Sequence, residues 1–249
     1  MPIRELRIRP LTGLPELRED DELGRLIAES ASAAADDVVV ISQKAVSKVE
    51  GRIRLLADVE PGERASQLAA ELGKDPAMVE LVLAESARVV RAERGVLITE
   101  TKAGWVCANA GIDTSNLEEG QVSLLPVDGD ASARRIRGEI AAASGAAPAV
   151  VIADSFGRAW RVGQADVAIG CAGIAPLADW RGRRDRQGGE LSATLIAIAD
   201  ELASAADLAR EKDSGAPGAV ISGLGDLVSA EDGAGAGPLR RPADEDLFR

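Results

Sequence analysis

The sequence predicts an α+β fold, and three observations lead there. Apolar runs of strand length, DVVVIS at 37–42 and APAVVIAD at 147–154, have the continuous hydrophobicity of strands buried on both faces. Segments with helical periodicity lie between such runs, as at 61–73 and 190–210. The two types mix without a strict βαβ rhythm, which argues against a doubly wound sheet. With 249 residues the chain can bury one large core, and it reads as a single domain over 1–249.

Taken in order, IRELRIRPL at 3–11 predicts a short strand, closed by the turn signal Thr12-Gly13-Leu14-Pro15. A helix follows from about Asp20 to Ala34. Asp36-Asp37 opens DVVVIS, and QKAVSKVEG at 43–51 is a loop or helix start carrying Lys44 and Lys48. Two helical patterns occupy 61–73 and 75–92, with Asp75 placed to cap the second ahead of a proline. GVLITET at 95–101 and GWVCANAG at 104–111 predict a hairpin turning at Lys102-Ala103-Gly104. QVSLLPV at 121–127 is a strand, and Asp130 is placed to cap a helix running to about Ser144. APAVVIAD ends on Asp154, SFGRAWRVGQ at 155–164 is expected as a loop, and ADVAIGCAG at 165–173 as another strand. The polar stretch 178–189 leads into a long amphipathic helix, about Glu190 to Arg210. A loop, a strand within 212–225 and a Gly- and Ala-rich tail complete the chain.

Hydrophobic residues form 46% of the chain but aromatics only 2%, so Ala, Val, Leu and Ile must fill the core in place of rings. A mean hydropathy near zero fits a globular chain. The net charge of -12 argues against generic nucleic-acid binding, because a phosphate backbone needs clustered Lys and Arg. A phosphorylated small molecule stays open, provided that divalent cations or a local Arg cluster offset the field. No apolar run approaches the roughly 20 residues that span a bilayer, and MPIRELRIRP lacks a signal-peptide core. A cytoplasmic protein is expected. Cys107 and Cys171 lack CxxC spacing and read as buried small hydrophobes. The absence of histidine removes Ser-His-Asp and Cys-His chemistry and His-ligated metals. Carboxylates, Lys, Arg, hydroxyls, backbone amides and bound ions remain.

Neither GxxxxGK[ST] nor a strand-borne GxGxxG occurs. The strongest constellation joins Cys107–Asn116 with Val151–Gly163, each placing an aspartate, Asp113 or Asp154, after an apolar strand. Two carboxylates at adjacent strand ends are hard oxygen donors suited to Mg²⁺ or Mn²⁺. Ser155 adds a neutral oxygen, and Arg158 and Arg161 add planar donors for phosphate or carboxylate. The same residues could instead be Asx-turn aspartates and a solvated arginine face. Lys44 and Lys48 share a helical face aimed at a phosphate, or else start a solvated helix.

These segments resemble the F-420-0:γ-glutamyl ligase family. The similarity runs through GLPE at 13–16, DVVVISQKAVSKVEGR at 37–52, CANAGIDTSN at 107–116 and LLPVDGDASARRIR at 124–137. It continues through DSFGRAWRVGQADVAIGCAG at 154–173, DWRGRRDRQGGEL at 179–191 and RPADEDLFR at 241–249, in the family's order.

The resemblance implies a GTP-dependent ligase. The γ-phosphoryl group would pass to the carboxylate of F-420-0, and the amine of L-glutamate would attack the resulting acyl phosphate, with γ-linked glutamates added in later cycles. It implies two divalent cations, Mg²⁺ or Mn²⁺, with K⁺ as a further candidate, held by Asp113, Asp154, Ser155 and Glu211. Ser155 stands where the family often has Thr, and Glu211 where relatives have Gln. Nucleotide contacts carry over to Gly13, Leu14, Pro15 and Glu16, to Ser42, Gln43 and Lys48, and to Asn116. They also carry over to the loop of Ala209, Arg210, Glu211, Lys212, Asp213, Ser214, Gly215 and Ala216. The expected partners are F-420-0 or F-420 with a short glutamate tail, L-glutamate and GTP, with no nucleic acid and no membrane. The expected architecture is a homodimer with clefts at the subunit interface, without the C-terminal nitroreductase-like domain of actinobacterial relatives. Two other classes compete: a metal-dependent phosphotransferase or hydrolase built from the same residues, and a non-catalytic nucleotide-binding subunit.

Overall fold

The computed structural model describes residues 4–210 and 214–247. In chain order the elements are β1 (Arg7–Pro10), α1 (Leu23–Ser30), β2 (Val38–Ser42), α2 (Gln43–Val49), β3 (Ile53–Leu55), α3 (Glu63–Leu72) and α4 (Pro76–Glu85). They continue as β4 (Ser86–Glu93), β5 (Val96–Thr101), β6 (Val106–Ala108), β7 (Gln121–Ser123), α5 (Gly129–Ser144), β8 (Ala149–Arg158) and β9 (Arg161–Ala172). The remaining elements are β10 (Ala178–Asp179), β11 (Leu195–Ile196), α6 (Ile198–Arg210) and β12 (Gly218–Ser222). The class is mixed α+β, with four sheets among the described residues and helices packed on them.

The main sheet has the order β1-β12-β2-β8-β9, in which β2 and β8 run parallel and the other neighbours antiparallel. Its central strands alternate between two buried faces. Val39, Ile41, Val150, Ile152 and Val220 pack with Leu23 and Ile27 of α1 and Ile136 and Ile140 of α5. Val38, Val40, Ala149, Val151, Ala219 and Ile221 pack with Ala199, Leu202, Ala203 and Ala206 of α6. That double burial is why these strands read as unbroken apolar runs, and each fully buried Val or Ile contributes roughly 1.5–3 kcal/mol. A third core gathers α3, α4, Leu97 of β5, Val122 of β7 and Ile112.

Several local expectations need correction. Residues 86–93 do not continue the helix of α4. They form β4, turned onto β5 through Arg94 and Gly95, both at positive φ, which is the two-residue hairpin geometry. The cap of α5 is Asp128, whose Oδ1 accepts from the Ala131 N–H at 2.9 Å. Asp130 instead turns inward and accepts from the backbone N–H groups of Cys171 and Ala236. The stretch 155–164 is not a loop, since β8 and β9 run on as a hairpin to the Arg158–Arg161 pair. Helix α6 starts at Ile198, and the segment before it pairs β10 with β11. Asp75 does cap α4, accepting from Ala77 at 2.7 Å and Met78 at 3.2 Å.

One close approach fixes α5 against the sheet. A Cβ placed on Gly170 of β9 would lie 2.2 Å from the carbonyl carbon of Gly129, at the start of α5. Only glycine permits the two backbones to meet there.

Candidate active site

The sheet brings distant segments to one edge by its topology. The parallel pairing of β2 with β8 ends at Ser42 beside Ala153, so Gln43 opens α2 next to Asp154 and Ser155, while β8 runs on to Arg158. The antiparallel β12 begins at the same edge, with the Ser42 N–H donating to the Pro217 carbonyl at 2.8 Å. The Leu11 N–H donates to the Gly218 carbonyl at 2.8 Å, so the chain leaves β1 there too, toward Leu14–Glu16. Ser155 pairs Asp166 across β8 and β9. The carboxyl ends of parallel strands are where open α/β sheets place ligands, because helix starts and loops converge there.

A cleft of about 660 Å³ opens at this edge. Its lining includes Leu14, Pro15, Glu16, Ser42, Gln43, Lys44, Lys48, Asp113, Asn116, Asp154, Ser155, Gly215 and Ala216. Sequence-distant motifs thus share one wall.

Asp113 and its turn reach the cleft from the β7 side, through the paired backbones of Asp113 and Ser123. The turn is an Asx turn. Asp113 Oδ1 accepts from the Ser115 N–H at 2.9 Å, Oδ2 accepts from Ser115 Oγ at 2.8 Å, and Asn116 adopts a left-handed φ of 53°. Lys44 then crosses from α2, placing Nζ 2.7 Å from Asp113 Oδ2 and donating to Ser115 Oγ at 2.6 Å. Burial opposes ionisation of Asp113, but Lys44 and the Ser115 donors outweigh it and hold the carboxyl below its usual value. Lys48 pairs with Glu16 at 2.5 Å and lowers that carboxyl in the same way.

Asp154 behaves oppositely. Burial, with repulsion from Asp166 and Asp113, pushes its carboxyl up to about 7, although the Ser155 N–H and Lys44 pull the other way. Beneath it, Asp166 is 1% exposed and accepts from Ser155 Oγ at 2.5 Å and from the Arg210 guanidinium. Cys107 lies near enough to Asp154 that burial first and this carboxylate second push its thiol up to about 12, which makes it inert rather than nucleophilic.

A family model described as F420-0:Gamma-glutamyl ligase matches residues 13–223. The chain belongs to this ligase family. Similar curated proteins named "Coenzyme F420:L-glutamate ligase" include the following three. That of Methanopyrus kandleri is 42% identical over 246 residues, covering 98% of both chains. That of Methanothermobacter thermautotrophicus is 40% identical over 245 residues, 95% of this chain and 96% of its own. That of Archaeoglobus fulgidus is 39% identical over 248 residues, 98% of this chain and 96% of its own.

Among the ligase-family positions carried over from the sequence, Gly13, Ala209 and Ser214 do not line the cleft, and Glu211, Lys212 and Asp213 lie outside the described residues. Arg158 and Arg161 sit at the β8–β9 hairpin tip, four residues of strand or roughly 13 Å beyond Asp154. Arg158 donates there to the Val162 carbonyl at 2.8 Å. Sequence reasoning missed Asp166 and Asp207. An isolated carboxylate inside the strand ADVAIG was the available signal for Asp166.

The donors of the cleft fit a divalent cation in chemistry. Asp113, Asp154 and the Ser155 hydroxyl are hard oxygen groups, and a bound cation would offset the burial, and the repulsion from Asp166 and Asp113, that raise Asp154. Among the described residues, no three Asp, Glu or Cys side chains are clustered so as to hold a metal ion by themselves. No helix among the described residues is long and apolar enough to cross a membrane.

Proposed function

We propose that this chain is a GTP-dependent ligase of coenzyme F-420 biosynthesis, which activates the carboxylate of F-420-0 as an acyl phosphate and joins L-glutamate to it. Later cycles extend the tail through γ-linked amides. The reading includes divalent cations, K⁺ as the monovalent candidate, and a cytoplasmic homodimer. Family membership supports the ligase class, and relatives of 39–42% identity carry the name of a ligase acting on coenzyme F-420 and L-glutamate.

The single observation that carries the GTP-dependent mechanism is the charge balance of the cleft. Among its described lining residues, five carboxylates (Glu16, Asp113, Asp154, Asp166 and Asp207) face three cationic side chains (Lys44, Lys48 and Arg210). A nucleoside triphosphate and a carboxylate acceptor are both anionic. Such a wall admits them only with added positive charge, which divalent cations on Asp113, Asp154 and Ser155 would supply while neutralising phosphoryl oxygens.

The protein's own residues then position and protect. Lys44 and Lys48, four apart on α2, point cationic ends into the cleft, where released phosphate oxygens would meet them. The segments Leu14–Glu16 and Gly215–Pro217, which line the cleft, would frame the nucleotide side. The reaction itself is balanced in two steps. An acceptor carboxylate oxygen attacks the γ-phosphorus and GDP leaves; the glutamate nitrogen then attacks the acyl carbon, the C–O bond to phosphate breaks, and a proton leaves the nitrogen. A free carboxylate resists amines, so the first step lowers the barrier of the second.

The test is an anaerobic assay with F-420-0, L-glutamate, GTP and Mn²⁺, each omitted in turn and products followed by mass. A product heavier by glutamyl units that disappears without GTP or metal supports the reading. Nucleotide hydrolysis without a glutamyl product replaces it with a phosphohydrolase.

A further inference from the structure

Ser155 Oγ donates its hydrogen to Asp166 Oδ1 at 2.5 Å. A serine hydroxyl has one hydrogen and two lone pairs, so once that hydrogen is committed inward, the oxygen presents only lone pairs to the cleft. It can then meet a cation or an N–H donor, but it cannot donate to a phosphate oxygen. Asp166 is held in place for this task. It is 1% exposed, and its other oxygen accepts from Arg210, whose Nη1 also reaches the Pro217 carbonyl at 3.5 Å and whose Nη2 lies 3.3 Å from Asp207. The Ser204 hydroxyl further ties the Asp166 backbone by donating to its carbonyl at 2.8 Å.

We infer that Asp166 is a positioning residue: it fixes Ser155 as an acceptor-only oxygen for a divalent cation, and through Arg210 it ties that oxygen to the end of α6 and the Pro217 strand start. This inference rests on the proposed metal-assisted reading of the cleft. A structural ion pair alone would explain Arg210 but not why the serine hydrogen is committed to this buried carboxylate. Asp166→Asn changes that direction. The amide oxygen is drawn to the guanidinium, the amide N–H₂ then faces Ser155, and the serine hydrogen turns outward.

The experiment titrates the purified full chain with Mn²⁺ alone and reads free Mn²⁺ by electron paramagnetic resonance, for wild type, Asp166→Asn, Ser155→Ala and the double variant. Loss of a group that orients a metal ligand typically costs roughly 10- to 100-fold in affinity, and that loss is expected for Asp166→Asn. In the Ser155→Ala background the same change should cost little more, because the oxygen it orients is gone. If Asp166→Asn fails to fold, Asp166→Glu keeps the charge for Arg210 while displacing the acceptor from Ser155, and the same loss is expected. Additive losses in the double variant, or a lowered melting temperature with unchanged Mn²⁺ affinity, would overturn the inference, as would a wild type that binds no Mn²⁺. A wild type that binds Mn²⁺ with this coupling yet forms no glutamyl product leaves the inference standing and removes the ligase chemistry.

Discussion

Lys44 Nζ lies 2.7 Å from Asp113 Oδ2, so the ammonium occupies the carboxylate through which a cation would enter the same cleft. The lysine side chain is only 16% exposed and the aspartate 41%, which places the pair at the cleft wall rather than in bulk water. On the proposed reading, a cation and Lys44 would compete for Asp113, and a cation that won would free the ammonium for phosphate. Replacing Lys44 by Met would then remove the competitor and the proposed phosphate donor together. Lys44→Met is expected to tighten Mn²⁺ binding in the absence of nucleotide and to raise the KM for GTP by about tenfold, the equivalent of 1.4 kcal/mol. Metal titration and steady-state kinetics check the two directions separately, and unchanged Mn²⁺ affinity would contradict the competition.

Asp154 gives a pH dependence of definite sign. Burial, helped by Asp166 and Asp113, raises its folded pKa to about 7, well above the ordinary carboxylate value. The stability contributed by that retained proton is fully present below the unfolded pKa and is lost as pH rises through about 7. Asp154→Asn lacks this loss. Relative to wild type, the metal-free variant should gain stability as pH rises from about 4 to about 7, by on the order of a few kcal/mol, and the difference should level off above that. Turnover should vanish, because the charged oxygen is gone while the volume is nearly kept. Parallel thermal melts across pH check this, and profiles of equal slope would contradict it.

How much of this was legible in the sequence depends on where the deciding contacts lie. Strands β2 and β8 were readable because burial on both faces writes itself as unbroken Val, Ile and Ala. The start of α4 was readable because Asp75 caps locally. Strand β4 was not, since SARVVRAE carries an ambiguous period and its pairing depends on a hairpin through Arg94 and Gly95. The run 155–164 looked like a loop because its Gly and Arg residues are exposed, yet pairing with β9 satisfies its backbone. Within the site, Asp113, Asn116, Asp154 and Ser155 stood in motifs and share the cleft lining. Asp166 and its bond to Arg210 join positions 44 residues apart, a contact that no local pattern encodes.

Gly170 and Gly129 meet backbone to backbone, and that contact seats α5 on the sheet. Gly170→Ala should cost about 1–3 kcal/mol or more through over-packing. At roughly 2–4 °C per kcal/mol for a chain of this size, the melting temperature should fall by several degrees. Gly138, in the same helix, has open space where a methyl group would be added, with nothing within 4 Å, so Gly138→Ala should be neutral or stabilise by up to about 1 kcal/mol. Equal melting temperatures for the two variants would show that β9 shifts to make room.

The most direct test of the central claim follows one oxygen atom. F-420-0 carrying oxygen-18 in its acceptor carboxylate is incubated with GTP, L-glutamate and Mn²⁺, and both the coenzyme and the released phosphate are weighed by mass spectrometry. Carboxylate activation by phosphoryl transfer predicts a glutamylated product together with phosphate that has acquired one labelled oxygen. Phosphate without label, or GTP consumed with no glutamyl product, would contradict it.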